Sequence, residues 1–291
     1  MEKKRLIFII NPISGAKKGV SLTQLIHEIF PKDEYETKIE VTKHRNHASE
    51  ITKNLKNIPT TFVAIGGDGT INEVAKEILN SDSSSLGLVA TGSGNGLSRS
   101  LQIPLDPEKA LQRIKNGSES IIDTCSFNNI PFFCTAGVAF DALVAKDFDE
   151  LPSRGLKTYF QASFRQFKTY AGTQITAKIN GETVDENLFM MAFANAEQYG
   201  YGAKINPRAS LSDGLIEVAI IKKMNLLRFG EFTSRLFTGT IKGFSLCRTV
   251  QTAKDIVLST SSKIAHLDGE PIHFNGEATI KIHPNSLKII L

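Results

Sequence analysis

The stretch FVAIGGDGTINEVAKEIL, residues 62–79, decides how the chain is read. A short apolar run ends in Gly66-Gly67-Asp68-Gly69. A helical pattern then begins at once, with Ile71, Val74, Ala75, Ile78 and Leu79 on one face. Thr70 and Glu73 have capping-box spacing, which predicts an N-cap at Thr70 and a helix over residues 71–80. Glycines lack a Cβ, so the backbone can approach a bulky anion closely. Exposed N–H groups and the positive end of the helix dipole favour phosphate at such a place. Asp68, set among them, is suited to hold Mg²⁺ or to orient an attacking hydroxyl. A tight turn needs one or two glycines, whereas the full string asks for a ligand.

Working outward, apolar strands alternate with amphipathic helices. Strands are expected at 6–10, 38–42, 61–65 and 86–90. Helices are expected at 21–30, 48–55 and from about 95, with another that Asp106-Pro107 opens and Gly117 closes. Ser21 and Gln24 suggest a capping box for the first helix. This order predicts a parallel α/β sheet. Two further small-residue loops follow strands: Asn11-Pro12-Ile13-Ser14-Gly15 with Lys17 and Lys18, and Thr91-Gly92-Ser93-Gly94-Asn95-Gly96. In an open parallel sheet such strand ends gather on one edge, where ligands bind. The second loop departs from GxGxxG, and no GxxxxGK[ST] occurs.

From about residue 121 strand-like segments dominate, among them 120–127, 173–179, 188–194, 215–221, 256–259 and 279–282. Asn180-Gly181 is a hairpin turn signal. Helical insertions are expected at 156–170 and 226–237. The predicted architecture is α/β with two domains and an active site in the cleft between them. Residues 1–122 form a nucleotide-binding α/β domain, with the C-terminal strand 286–291 as a candidate addition. Residues 123–285 form a β-rich lipid-substrate domain.

Composition narrows the function classes. The chain has 291 residues, 41% hydrophobic and 22% charged, with a net charge of +4. These are values of a globular protein. Leu6–Ile10 is too short for a secretory apolar region, and Asn11-Pro12 follows it, so a buried strand and a cytoplasmic location are expected. Cys125, Cys134 and Cys247 form no CxxC pair, which favours reduced thiols, and the six histidines show no zinc motif. Between Leu151 and Gly181 there are five basic residues, Arg154, Lys157, Arg165, Lys168 and Lys178, and no acidic one. Residues 222–248 are also basic. Such segments suit anionic surfaces, or are simply a solvated face. No nucleic-acid-binding motif is present, and no motif speaks to oligomeric state.

NPISG (11–15), Thr42 with His47-Ala48, GGDGTINEV (66–74) and GSGNGLSR (92–99) together resemble the catalytic domain of the diacylglycerol kinase and sphingosine kinase family. VAFDALV (138–144), SLSDGLIEV (210–218) and LDGEP (267–271) extend the resemblance over nearly the whole chain. It implies an ATP-dependent lipid kinase acting in lipid metabolism, with Mg²⁺. By this resemblance Asn11, Pro12, Ser14 and Gly15 contact the nucleotide phosphates, and Thr42 lines the pocket. Gly66, Gly67, Asp68, Gly69, Thr70, Ile71 and Asn72 wrap the phosphates, and Ser93 contacts the nucleotide. Glu270 matches the family's proton acceptor, and Asp68 is the second candidate catalytic residue. Asp213 and the carbonyls of Ser210 and Leu215 match a structural metal loop. Asp123 and Asp141 also fall in family-like context, as members of an acidic network or as buried structural carboxylates. Gly96 stands where many bacterial diacylglycerol kinases carry an acid, so the loop is closer to that of sphingosine and ceramide kinases. The implied partners are a lipid substrate and, transiently, an anionic membrane surface. The alternatives are a kinase of a soluble substrate, like the NAD kinases that share GGDGT, and a non-catalytic nucleotide-binding regulator.

Overall fold

The computed structural model describes residues 3–14, 22–151 and 155–291. Gly15, Lys17, Lys18, Ser21 and Arg154 therefore lie outside the described residues. The chain divides into two compact units: residues 1–122 with 285–291, and residues 123–284.

In the first unit, β1 (Lys4–Ile10), α1 (Leu22–Ile29), β2 (Tyr35–Val41), α2 (His47–Leu55), β3 (Thr60–Gly66), α3 (Asp68–Ala75), β4 (Ser84–Ala90), α4 (Gly96–Ser100) and α5 (Pro107–Asn116) follow in order. Strands β1 and β3 are continuous apolar runs because both sheet faces are covered, and Leu6–Ile9 and Phe62–Ile65 are buried. β1 pairs in parallel with β2 and β3, and β3 with β4. The order β2-β1-β3-β4 puts the topological switch between β1 and β3. Ligands bind at such a point, outside the carboxyl ends of the strands. Helix α5 begins as expected: the Asp106 carboxylate accepts the Lys109 N–H, and Pro107 fills the first turn.

Helix α3 departs from expectation. It starts at Asp68, with Gly67 as its N-cap, and ends at Ala75. Thr70 lies inside the helix, and its hydroxyl accepts a hydrogen bond from Asn11 Nδ2 at 3.0 Å. Glu73 turns to a neighbour instead. Its carboxylate accepts the N–H groups of Asn46 and Ala48 at 2.8 and 3.0 Å, so it caps α2, whose own Asn46 makes no side-chain cap. The Thr70/Glu73 spacing was a local signal that tertiary contacts overrode.

The second unit receives the chain through β5 (Glu119–Phe127). It continues with β6 (Ile130–Phe132), β7 (Thr135–Ala139), α6 (Phe140–Glu150), α7 (Leu156–Thr169), β8 (Thr173–Ile179), β9 (Glu182–Ala194), β10 (Ile216–Lys222), α8 (Leu226–Thr238), β11 (Cys247–Thr252), β12 (Ile256–Thr260), β13 (Ile264–Leu267), β14 (Glu270–His273) and β15 (Glu277–Ile290). The strands run β14-β13-β7-β9-β8-β12-β15, with β10 joining β9 to β11. These pairings are antiparallel. Asn180 and Gly181 both have positive φ, 53° and 89°, the turn their sequence demands between β8 and β9. One face of the sheet encloses an aliphatic core that includes Ile175, Met191, Val218 and Ile280. The other face carries α6, α7 and α8 on a core rich in phenylalanine. The last residues of β15 return to the first unit, where Ile289 pairs in parallel with Leu86 of β4.

Candidate active site

In the first unit, the loops after β1, β3 and β4 are stitched side by side. Asn11 N–H donates to Ile65 O at 2.9 Å, and Thr91 N–H donates to Gly66 O at 2.8 Å. The Thr91 hydroxyl donates to Ser14 O at 2.9 Å. Asp68 fastens the third loop: its two carboxylate oxygens accept the N–H groups of Asn95 and Gly96, each at 2.8 Å. Burial pushes the Asp68 carboxyl above its ordinary range, while those two N–H groups pull it back.

Gly92 is required where two backbones touch, and Gly66 where the Thr70 side chain packs on the chain. A Cβ on Gly92 would stand 2.5 Å from Gly67 Cα, and one on Gly66 would stand 2.5 Å from Thr70 Oγ1. The amide oxygen of Asn95 is buried without a hydrogen-bond partner beside this glycine contact. Backbone N–H groups at a helix start and a cradle free of Cβ atoms fit a phosphate. The Asp68 carboxylate and Asn95 Oδ1 are hard oxygen donors of the kind that suits Mg²⁺.

Thr42 is buried just after β2, and its N–H donates to Ile10 O at 2.9 Å, which sets it beside the first loop. Pro12 and Ser93 are exposed, and Ser14 is half-buried. Ile71 packs wholly into the core, so only its backbone is offered to a ligand. Gly69 and Asn72 lie at the start of α3 with Asp68. Thr91 and Asn95 lay outside the expected residue set. Their signal was present: Asn95 has φ 55°, and an asparagine in a glycine loop commonly marks the left-handed region.

In the second unit, Glu270 is the exposed first residue of β14, on a hairpin whose turn residues Asp268 and Gly269 have φ 50° and 86°. The Asp268 carboxylate accepts three N–H groups, from Phe133, Cys134 and Thr135, at 2.7–2.9 Å. Asp268 N–H in turn donates to Thr135 O at 2.7 Å. The hairpin is thus pinned to the segment entering β7. Asp123, 1% exposed, accepts the Gly214 N–H at 2.7 Å and so fixes the loop carrying Ser210, Asp213 and Leu215. Asp213 is exposed, and one of its oxygens accepts the Leu215 N–H at 3.0 Å.

A small, mainly apolar pocket, or slot, of about 50 Å³ opens among α6, α7 and α8. Phe140, Val144, Phe160, Phe229, Phe232 and Phe237 are among its walls, and Asp141, Tyr159, Ser163, Tyr199 and Thr233 are its polar members. Sequence reasoning expected α7 and α8 but not their convergence with α6, which only the fold supplies. Burial and the Asp141 charge push the Tyr199 phenol well above its usual range, so it stays protonated.

The fold also gathers His44, His47 and Glu50, which the sequence did not suggest as a group. His47 Nδ1 already accepts the Lys43 N–H at 3.0 Å, which leaves the ring proton on Nε2 and removes that nitrogen as a metal ligand. Among the described residues no helix is long and apolar enough to cross a membrane.

Comparison with known proteins agrees over both units. The family described as "Diacylglycerol kinase catalytic domain" matches residues 5–127, and "YegS C-terminal NAD kinase beta sandwich-like domain" matches residues 134–291. A protein named diacylglycerol kinase from Bacillus subtilis is 28% identical over 78% of this chain and 76% of its own length. An uncharacterized Synechocystis protein is 28% identical over 80% of this chain, which spans 57% of that relative's length. A Bacillus anthracis structure described as a diacylglycerol kinase, 18% identical, superposes with a TM-score of 0.75 over 100% of this chain and 97% of its own. Fold, loops and relatives together define the class: a lipid kinase, a phosphotransferase that uses ATP. The chain belongs to the diacylglycerol kinase catalytic-domain family, with the YegS-type C-terminal domain.

Proposed function

We propose that this chain transfers the γ-phosphate of ATP to a hydroxyl of a lipid such as diacylglycerol or a sphingoid base. The observation that carries the reading is the aromatic slot of the second unit, in a chain whose first unit offers a phosphate cradle. Its lining is mainly phenylalanine and aliphatic side chains, which suits the hydrocarbon of a lipid better than a polar soluble acceptor.

In the first unit the N–H groups around Gly66–Asn72, with Asn11, Pro12, Ser14, Gly15, Thr42 and Ser93, hold the nucleotide. Asp68 keeps the third loop in place. Mg²⁺, when bound, neutralises charge on the phosphoryl oxygens, and Asp68 and Asn95 are its candidate holders. The acceptor oxygen forms a bond to the γ-phosphorus, the bond from that phosphorus to the ADP oxygen breaks, and the hydroxyl proton passes to the Glu270 carboxylate. The transition state is largely dissociative, so positioning outweighs the strength of the base. Asp213 with the Ser210 and Leu215 carbonyls forms a separate structural cation site. Exposed Phe160, Phe164, Leu226 and Leu227, the last 83% exposed, sit with Lys157, Arg165, Lys168 and Arg228 on α7 and α8 and suit transient contact with an anionic membrane surface. The protein works in the cytoplasm and meets its lipid at the membrane surface.

The test is transfer of labelled phosphate from ATP to diacylglycerol, monoacylglycerol, sphingosine, ceramide and NAD, with lipids in anionic vesicles at low and high salt. The expected result is a labelled lipid, a rate that falls with salt, and a loss of roughly 100-fold or more in Glu270→Gln. Label in NAD alone overturns the lipid reading; label in nothing, with ATP still bound, favours a nucleotide-binding regulator.

A further inference from the structure

The hairpin that carries Glu270 is tied down on a second side, by a group no part of the mechanism above uses. His266, on β13, is 2% exposed, and its Nε2 lies 3.1 Å from Asp141 Oδ2, itself on a side chain 5% exposed. Its Nδ1 faces the Gly269 N–H at 3.4 Å. A ring nitrogen that faces a donor is an acceptor, so the ring proton sits on Nε2 and is donated to Asp141. The Asp141 carboxylate is held in turn by the Ala142 N–H at 2.9 Å and by the Tyr199 hydroxyl at 3.4 Å. Gly137 has no room for a side chain, because a Cβ there would stand 1.9 Å from Asp141 Oδ2. The Tyr199 ring also packs on the His266 ring, 5.7 Å between centroids.

Asp141 belongs to two structures at once. It is a polar wall of the aromatic slot, and through His266 it reaches the turn one residue before Glu270. Asp268 fixes that turn from the β7 side and His266 from the α6 side. We propose that His266 is a positioning residue for Glu270: it ties the hairpin that carries Glu270 to Asp141, so that the proton acceptor and the polar wall of the slot keep a fixed separation. A proton acceptor must meet its hydroxyl within hydrogen-bond reach, and a displacement of about 1 Å can cost roughly 100-fold in rate. The proposal rests on the reading of Glu270 as proton acceptor.

The experiment compares His266→Leu, His266→Gln, Glu270→Gln and the double variant His266→Leu/Glu270→Gln, using the full chain, ATP and the lipid labelled in the panel. Leucine fills similar space and makes neither hydrogen bond; glutamine can donate to Asp141. The expected result for His266→Leu is a kcat lower by roughly 10- to 100-fold with KM for lipid within about two-fold. His266→Gln should recover most of that loss, and the double variant should be no slower than Glu270→Gln alone, because both act through one group. If His266→Leu fails to fold by circular dichroism, His266→Asn takes its place, since it keeps an acceptor toward Gly269 and loses the Asp141 bond. A wild-type kcat in the folded variant overturns the proposal. So does a rise in KM without a fall in kcat, or a further fall in the double variant. A Glu270→Gln enzyme at wild-type rate sinks the reading of Glu270 itself, whichever way the His266 variants behave.

Discussion

The two units build their sites from different materials. In the first, the surface offered to a ligand is mostly backbone: glycines brought within contact, N–H groups at the start of α3, and side chains such as Asp68, Thr91 and Asn11 spent on fastening one loop to the next. In the second, it is side chain: phenylalanines from three helices around a small apolar pocket, and a carboxylate, Asp268, that pins a hairpin. A backbone site tolerates almost no added atom. A side-chain site tolerates substitution chemically but depends on its packing. The contrast predicts where each unit breaks.

The largest stability effect belongs to the packed unit. Phe229 stacks on Phe167 at 4.2 Å between centroids and contacts Phe140 and Phe189. Phe229→Ala should cost about 3–5 kcal/mol in denaturant unfolding, raise KM for the lipid, and leave ATP affinity unchanged by calorimetry. A change in ATP affinity of comparable size would erase the distinction between the two materials. Next comes the backbone unit. Gly92→Ala adds one methyl group where backbone already meets backbone. The expected cost is about 1–3 kcal/mol of stability, with ATP affinity falling by roughly 10-fold or more and lipid KM little altered. Wild-type ATP affinity in that variant would show that the loops can part without harm.

The smallest effect is alkaline. Burial pushes Tyr170 and Cys247, both in the second unit, up to about 12 from 10.0 and 9.0. The folded chain keeps protons there that the unfolded chain has lost. Their contribution to stability is therefore complete below about pH 9 and is lost as pH rises through 12. Hydrogen exchange along that ramp should show β8 and β9 amides losing protection before those of β3 and β4. The reverse order would mean that these half-buried groups do not set the alkaline limit.

The same contrast governs what the sequence discloses. A glycine that must touch another backbone cannot be anything else, so the loops at Gly66–Gly69 and Gly92–Gly96 announce themselves, and the α/β alternation around them is plain. The two-domain α/β class and the helices α7 and α8 were readable for similar reasons. What escaped needed the third dimension. Thr70 and Glu73 looked like a cap, yet each bonds a distant element. Helix α6 was hidden because its first residues follow Thr135–Ala139 without a turn signal. His266 meets Asp141 across 125 positions, a pairing with no local signature.

One strand has a consequence for how the protein is made. All seven residues of β4 are buried, and its outer edge is covered by the final residues of β15. A ribosome that has finished residue 122 must still deliver residues 123–284 before that partner strand emerges. At ~5–20 residues per second the wait is about 10–30 s. Throughout it the edge of a buried strand stands open to any other nascent chain. The order of synthesis therefore keeps the β4 edge without its partner until residues 285–291 emerge, and a fragment ending at residue 122 would carry that edge permanently.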